Sequence, residues 1–226
     1  MTEFVTQSLR VHAEGIRTGG GKGVLMPKAF DESEKDAIRA ALKDAGLKQF
    51  ERTGLRGARV DDICRDVGIA KGSFYAFFDS KEDLFMSIVE DREQLHQDDM
   101  FAFLSDEIGT PKERAGTFFD LIVRKIESDP ILNLVIGHNE IPHLVRKLGP
   151  LRFAKSQERD RTFAAQATQR WRASAGISLK PGDLLSLMTI TLALVSQRGQ
   201  MTSEQYRPAV ALLRDTFVQH LAGASK

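Results

Sequence analysis

Along the chain, apolar positions recur every three or four residues and the strict alternation of a half-buried strand is scarce, so the pattern predicts an all-α protein. From Asp31, Ile38, Leu42, Ala45 and Phe50 fall at helical intervals while Glu34, Lys35, Arg39 and Lys43 face elsewhere, which predicts a first helix ending near Gly54. Val60, Ile63, Val67 and Ile69 form a second, shorter stripe broken at Gly68, and Phe74, Tyr75 and Phe78 follow almost at once. Two short helices joined by a tight turn fit that spacing. Ser80 and Asp83 then make a capping-box-like start: the hydroxyl can accept a backbone N–H, and the carboxylate suits the positive end of a helix. A long helix is expected from about Lys81, its apolar positions Leu84, Phe85, Ile88, Leu95 and Phe101 carrying it into the rest of the protein.

Gly109, Pro111, Pro130, Gly149, Pro150, Gly176, Pro181 and Gly199 punctuate the remainder. They predict helices over about 111–128, 130–147, 151–174, 182–199 and 203–222, a C-terminal helical bundle behind an N-terminal three-helix unit. Residues 1–30 lack sustained periodicity and hold Gly15, Gly19, Gly20, Gly21 and Gly23, so a mobile arm is expected there. Its Arg10, Arg17, Lys22 and Lys28 suit either phosphate contacts or a plain solvated tail, and Met26 is an alternative start. The domain reading is an arm at 1–30, a helix-turn-helix domain at 31–95 and a C-terminal helical domain at 96–226.

Composition narrows the classes. With 226 residues and 42% hydrophobic content the chain can fill a substantial core. The net charge is only +1, so a nucleic-acid partner would have to be engaged by local geometry and not by a globally basic surface. The single cysteine, Cys64, excludes an intramolecular disulfide framework and a cysteine-rich metal site, and suits a cytoplasmic location. Cys64 faces the first helix and reads as a small buried hydrophobe. The most apolar window, Leu184 to Val195, is too short to span a membrane and contains Ser186, Thr189 and Thr191. No nucleophile elbow, phosphate loop, paired-carboxylate motif or metal signature is found, so neither an enzyme nor a cofactor is expected.

The string from Arg59 to Phe78 carries the candidate function. A helix turns at Gly68, where glycine tolerates the positive φ of a sharp bend, into a second helix starting close to Ala70. Ile63, Val67, Ile69 and Phe74 are expected to close against Leu42 and Phe50, leaving Lys71, Gly72, Ser73, Tyr75 and Phe77 on the outer side or at the end of the second helix. Lysine can pair with phosphate or guanine, a serine hydroxyl can donate or accept, and glycine permits close backbone approach. With so few short side chains per chain, affinity would rest on phosphate contacts and on doubling through a dimer, and would depend strongly on salt.

Phe50-Glu-Arg-Thr-Gly54, Val60-Asp-Asp-Ile63, Val67-Gly-Ile69, Lys71-Gly-Ser-Phe-Tyr75, Phe78 and Ser80-Lys-Glu-Asp-Leu84 together resemble the TetR/AcrR family of bacterial regulators over about residues 34–85. The resemblance implies a homodimeric all-α protein whose N-terminal domain binds a palindromic double-stranded DNA operator, usually as a repressor released by a small-molecule effector. It assigns Lys71, Gly72, Ser73 and Tyr75 to recognition-helix positions that meet DNA, Phe77 to a slot often held by His or Tyr, and Lys81 to a phosphate contact. The helix from Lys81 would be the hinge. Two positions depart from the pattern: Ala70 and Ala58-Arg59 stand where hydroxyls usually cap the two short helices. Each lost cap would cost about 1 kcal/mol of helix stability, while Arg59 could return affinity through a phosphate.

In the C-terminal half Phe118, Phe119, Ile122, Val135, Phe163 and Trp171 fit either the wall of an apolar effector cavity or plain core. The resemblance implies, for the C-terminal domain at 96–226, effector binding and a dimer formed by the helices over 151–174 and 182–199, or the latter with the last helix, and Leu184, Leu187, Met188, Leu192 and Val195 exceed what one face needs. His138, Asn139, Glu140 and His143 form a polar cluster whose histidine spacing of five matches no metal motif. The competing reading, suggested by Ala58 and Ala70, is a ligand-binding or scaffold protein of the same fold without DNA binding.

Overall fold

A computed structural model describes residues 31–106, 108–137 and 140–223. The arm at 1–30, with Arg10, Arg17, Lys22 and Lys28, lies outside these residues, as do His138 and Asn139. The described residues contain α-helices, one 3₁₀ turn and no strand. They fall into two compact units whose division lies between Ile88 and Val89.

In the first unit, α1 (Glu32–Gly57) starts with a full capping box, Asp31 accepting the Glu34 N–H and the Glu34 carboxylate accepting that of Asp31. Its helical dihedrals break at Gly54, at φ 70°, before a last short stretch. Then come α2 (Val60–Val67), α3 (Lys71–Phe74) and α4 (Lys81–Ser105), the last running on into the second unit. Leu42, Phe50, Leu55, Ile63, Phe74, Leu84 and Phe85 are fully buried and make the core of this unit. Phe50 and Phe85 meet edge to face at 5.0 Å. Gly46 lets α1 approach α4 closely: a Cβ there would lie 2.8 Å from Leu84 Cδ2.

The second unit holds the end of α4 and α5 (Pro111–Ser128), α6 (Pro130–Gly137), α7 (Ile141–Leu148), α8 (Pro150–Ala175), α9 (Pro181–Ser196) and α10 (Ser203–Gly223). Where one helix is expected over 130–147 there are two, α6 and α7, and Pro142, which has no N–H to donate, lies in the first turn of the second. α10 packs on α5, and α9 on α8. Phe118, Phe119, Trp171 and Phe217 fill the space between them, with Phe118 4.8 Å from Trp171 and Phe119 5.5 Å from Phe217, centroid to centroid.

Two buried charges tie helices together in this unit. Arg114 donates to the Leu104 carbonyl near the end of α4 and to the Ser174 carbonyl and hydroxyl near the end of α8, so two negative helix ends face one guanidinium. Asp129 accepts the N–H groups of Ile131 and Leu132 at the start of α6 and receives Arg92 and His96 at 2.9 Å each. Burial alone would raise the Asp129 pKa, but these hydrogen bonds and the Arg92 charge bring it down to about 2.

Candidate nucleic-acid interface

The turn between α2 and α3 follows from one residue. Gly68 adopts φ 80° and ψ 26°, and the N–H groups of Gly68 and Ile69 return to the Cys64 carbonyl, which stops α2 and redirects the chain. Ile63, Cys64 and Phe74 face inward, while Val67 and Ile69 are half-buried between the helices. The caps are bare as expected: neither Arg59 nor Ala70 makes a side-chain cap hydrogen bond.

α3 is shorter than the sequence suggests. Only Lys71–Phe74 is helical, and the chain then turns over residues 75–77. This rotation changes one candidate. Phe77, expected on the outer side, is 9% exposed, with the Arg39 guanidinium 5.9 Å from its ring centroid and donating to its carbonyl. Phe77 belongs with Phe74 and Phe78 in the core, because the early end of α3 swings it back under α1.

The other candidates form one outward surface. Arg59, Lys71 and Gly72 are exposed and Ser73 is half-buried. Tyr75 is 53% exposed, its ring edge to face on Phe74 at 5.4 Å, which fixes the ring and leaves the hydroxyl outward. Lys81 is half-buried, and its ammonium donates to the carbonyls of Arg56 and Ala58 at 3.0 and 2.9 Å. Two of its three donors thus close the end of α1, and one remains.

One partner was not legible in the sequence. Asp61, at the second position of α2, lies 3.0 Å from Lys71 Nζ. The hydrogen bond, then the carboxylate charge, hold the Lys71 pKa above its ordinary value. Nothing in a separation of ten residues announces this pair; it depends on the angle set at Gly68. Cys64 is buried, and burial foremost raises its thiol pKa, with the Asp61 charge adding to it.

In the second unit, the candidate effector residues Phe118, Phe119, Ile122, Phe163 and Trp171 sit in one core, and Val135 is buried on α6. The Trp171 Nε1–H is fully buried without a hydrogen-bond partner among the described residues. Glu140 is buried and His143 half-buried. Among the described residues no group of three or more His, Cys, Asp or Glu could hold a metal ion, and no helix is long and apolar enough to cross a membrane.

Comparison with known proteins agrees with this geometry. The model of bacterial regulatory proteins of the tetR family matches residues 42–88. The HTH-type transcriptional repressor KstR2 of Rhodococcus jostii is 27% identical over 197 residues, covering 85% of this chain and 91% of its own. The HTH-type transcriptional repressor SCO4008 of Streptomyces coelicolor is 33% identical over 57 residues, 25% of this chain and 30% of its own. A TetR-family transcriptional regulator of known structure from Pectobacterium atrosepticum superposes with a TM-score of 0.62 at 18% identity, covering 87% of this chain and 98% of its own.

Proposed function

For a chain that belongs to the TetR family of DNA-binding transcriptional regulators, we propose repression of a palindromic operator by a homodimer that a small molecule releases. The observation that carries the reading is the exposure of Arg59, Lys71, Gly72 and Tyr75, with Ser73 half-buried, on a helix-turn-helix whose Ile63, Cys64 and Phe74 are core. Arg59 and the remaining Lys81 donor meet phosphates, which set register, while Lys71, Ser73 and Tyr75 approach base edges and Gly72 keeps the backbone close.

Few base contacts per protomer make a second half-site necessary, and the faces of α9 and α10 supply the means. Ile190 and Leu192 on α9 and Leu212 on α10 are exposed large apolar residues, and a second copy would cover them. Repression, in place of activation, is supported by the named role of the relatives.

The effector is an apolar small molecule bound among Phe118, Phe119, Ile122, Val135, Phe163 and Trp171. An unpaired buried N–H costs about 1–3 kcal/mol, so an acceptor on the ligand would satisfy Trp171 Nε1. Ligand binding would shift the population between dimers whose recognition helices do, and do not, match major grooves about 34–36 Å apart.

In vitro selection of bound duplexes tests the reading. A palindromic consensus is expected; failure to enrich any sequence would favour a ligand-binding protein that has lost DNA recognition.

A further inference from the structure

We propose that Asp61 sets the specificity of the recognition helix by keeping Lys71 for a base edge and withholding it from the phosphate backbone. The inference rests on the placement of Lys71 on the DNA-facing surface.

Asp61 and Lys71 meet across the α2–α3 turn, Oδ2 to Nζ at 3.0 Å, with side chains 56% and 54% exposed. An exposed pair of this kind adds little to stability. Its neighbours Ile63 and Cys64 serve the core, and at the second position of α2 the carboxylate adds to the fold only the modest gain of a negative charge at a helix N-terminus. What the pair does change is the charge that the recognition helix presents to DNA.

A lone lysine that contacts a phosphate releases condensed counterions, and this sequence-independent gain is the basis of non-specific binding. Lys71 arrives already neutralised. Moving its ammonium to a phosphate brings the Asp61 carboxylate towards the same phosphate, where like charges repel, so the exchange gains little. The guanine O6 and N7 atoms are uncharged acceptors. A lysine has three donors, and one held by Asp61 leaves two for a base edge without breaking the pair. The carboxylate therefore penalises phosphate contacts and spares base contacts. Asp61 is a positioning residue, acting through Lys71.

The test compares full-length wild type, Asp61→Asn, Asp61→Glu and Lys71→Ala on a selected operator duplex and on a scrambled duplex of the same length, by fluorescence anisotropy over a KCl series. Thermal melts confirm that each variant is folded. Asp61→Asn is expected to bind the scrambled duplex about tenfold more tightly at low salt, with a salt slope steeper by about 0.9 per protomer, while the selected duplex gains less and the specificity ratio falls. Asp61→Glu, which keeps the charge, is expected to retain the wild-type ratio. If Asp61→Asn changes both duplexes by the same factor, or neither, the proposal is overturned. Lys71→Ala separates the two levels. If it leaves both duplexes unaffected, Lys71 does not face DNA and the underlying placement fails. If it weakens binding while the Asp61→Asn ratio stays at wild type, only the role of Asp61 falls.

Discussion

The ammonium of Lys81, the first residue of α4, donates to the carbonyl of Ala58 at 2.9 Å, so the start of one helix closes the end of another across the recognition unit. Lys81→Met keeps most of the apolar stem and removes the donor. It removes two hydrogen bonds and is expected to lower the stability of the first unit by about 2 kcal/mol, read as a downward shift in the melting temperature. If the third donor also meets a phosphate, the salt dependence of operator binding loses about 0.9 per protomer. Lys81→Arg is expected to restore the salt slope more fully than the stability, since a planar fork fits the two carbonyls differently.

Arg114 places a cation where the ends of α4 and α8 leave carbonyls unpaired, with 3% of the residue exposed. Arg114→Met is expected to cost about 2–3 kcal/mol, because the Ser174 carbonyl loses its side-chain donor and the Leu104 carbonyl keeps only the Ser174 hydroxyl, and differential scanning calorimetry should show the loss. Lys in its place cannot span both helix ends with a fork and is expected to recover less than half.

Glu93 carries the opposite kind of charge problem. Burial first, and the Asp160 and Glu90 carboxylates with it, raise its pKa to about 7 against the lowering influence of Arg159. The folded protein therefore holds a proton that the unfolded chain has released above its ordinary value of 4.5. Stability due to this group is present below that ordinary value and is lost as pH rises towards 7. The side chain is 32% exposed, and screening holds the effect to about 1 kcal/mol. Glu93→Gln is expected to flatten this part of the stability profile and to melt higher than wild type at pH above about 8, as measured by urea titration at several pH values. A variant whose profile keeps the wild-type slope would contradict the assignment.

The exposed Ile190 and Leu212 give the proposed dimer its test. Ile190→Asp with Leu212→Asp is expected to yield a folded monomer in light scattering. Affinity for a palindromic duplex should fall at least a hundredfold, because two half-sites no longer bind as one unit. An unchanged molecular mass would move the interface elsewhere.

Why the sequence foretold some of this and not the rest is plain at particular residues. Leu42, Phe50, Ile63 and Phe74 were assignable to the core because helical spacing and apolarity agree, and the turn at Gly68 because only glycine takes φ 80° without strain. Phe77 was misplaced because periodicity extends a helix past Phe74, while hydrogen bonds from Ala76 to Ser73 and from Phe77 to Phe74 mark a tighter turn there. The break before Ile141 was legible in the polar run His138-Asn139-Glu140 and in Pro142, and was missed because one helix was read through them. The pairs of Asp61 with Lys71 and of Arg114 with Leu104 depend on angles between helices, which no local pattern encodes.

The division of labour within residues 71–78 has a consequence for how such a reader changes over evolutionary time. Phe74, Phe77 and Phe78 hold the fold, while Lys71, Gly72 and Ala76 are exposed and Tyr75 adds only an edge-to-face contact with Phe74. A new operator preference can therefore arise by replacing surface letters one at a time, each variant still folded, so duplicated copies can diverge in target without passing through an unstable ancestor.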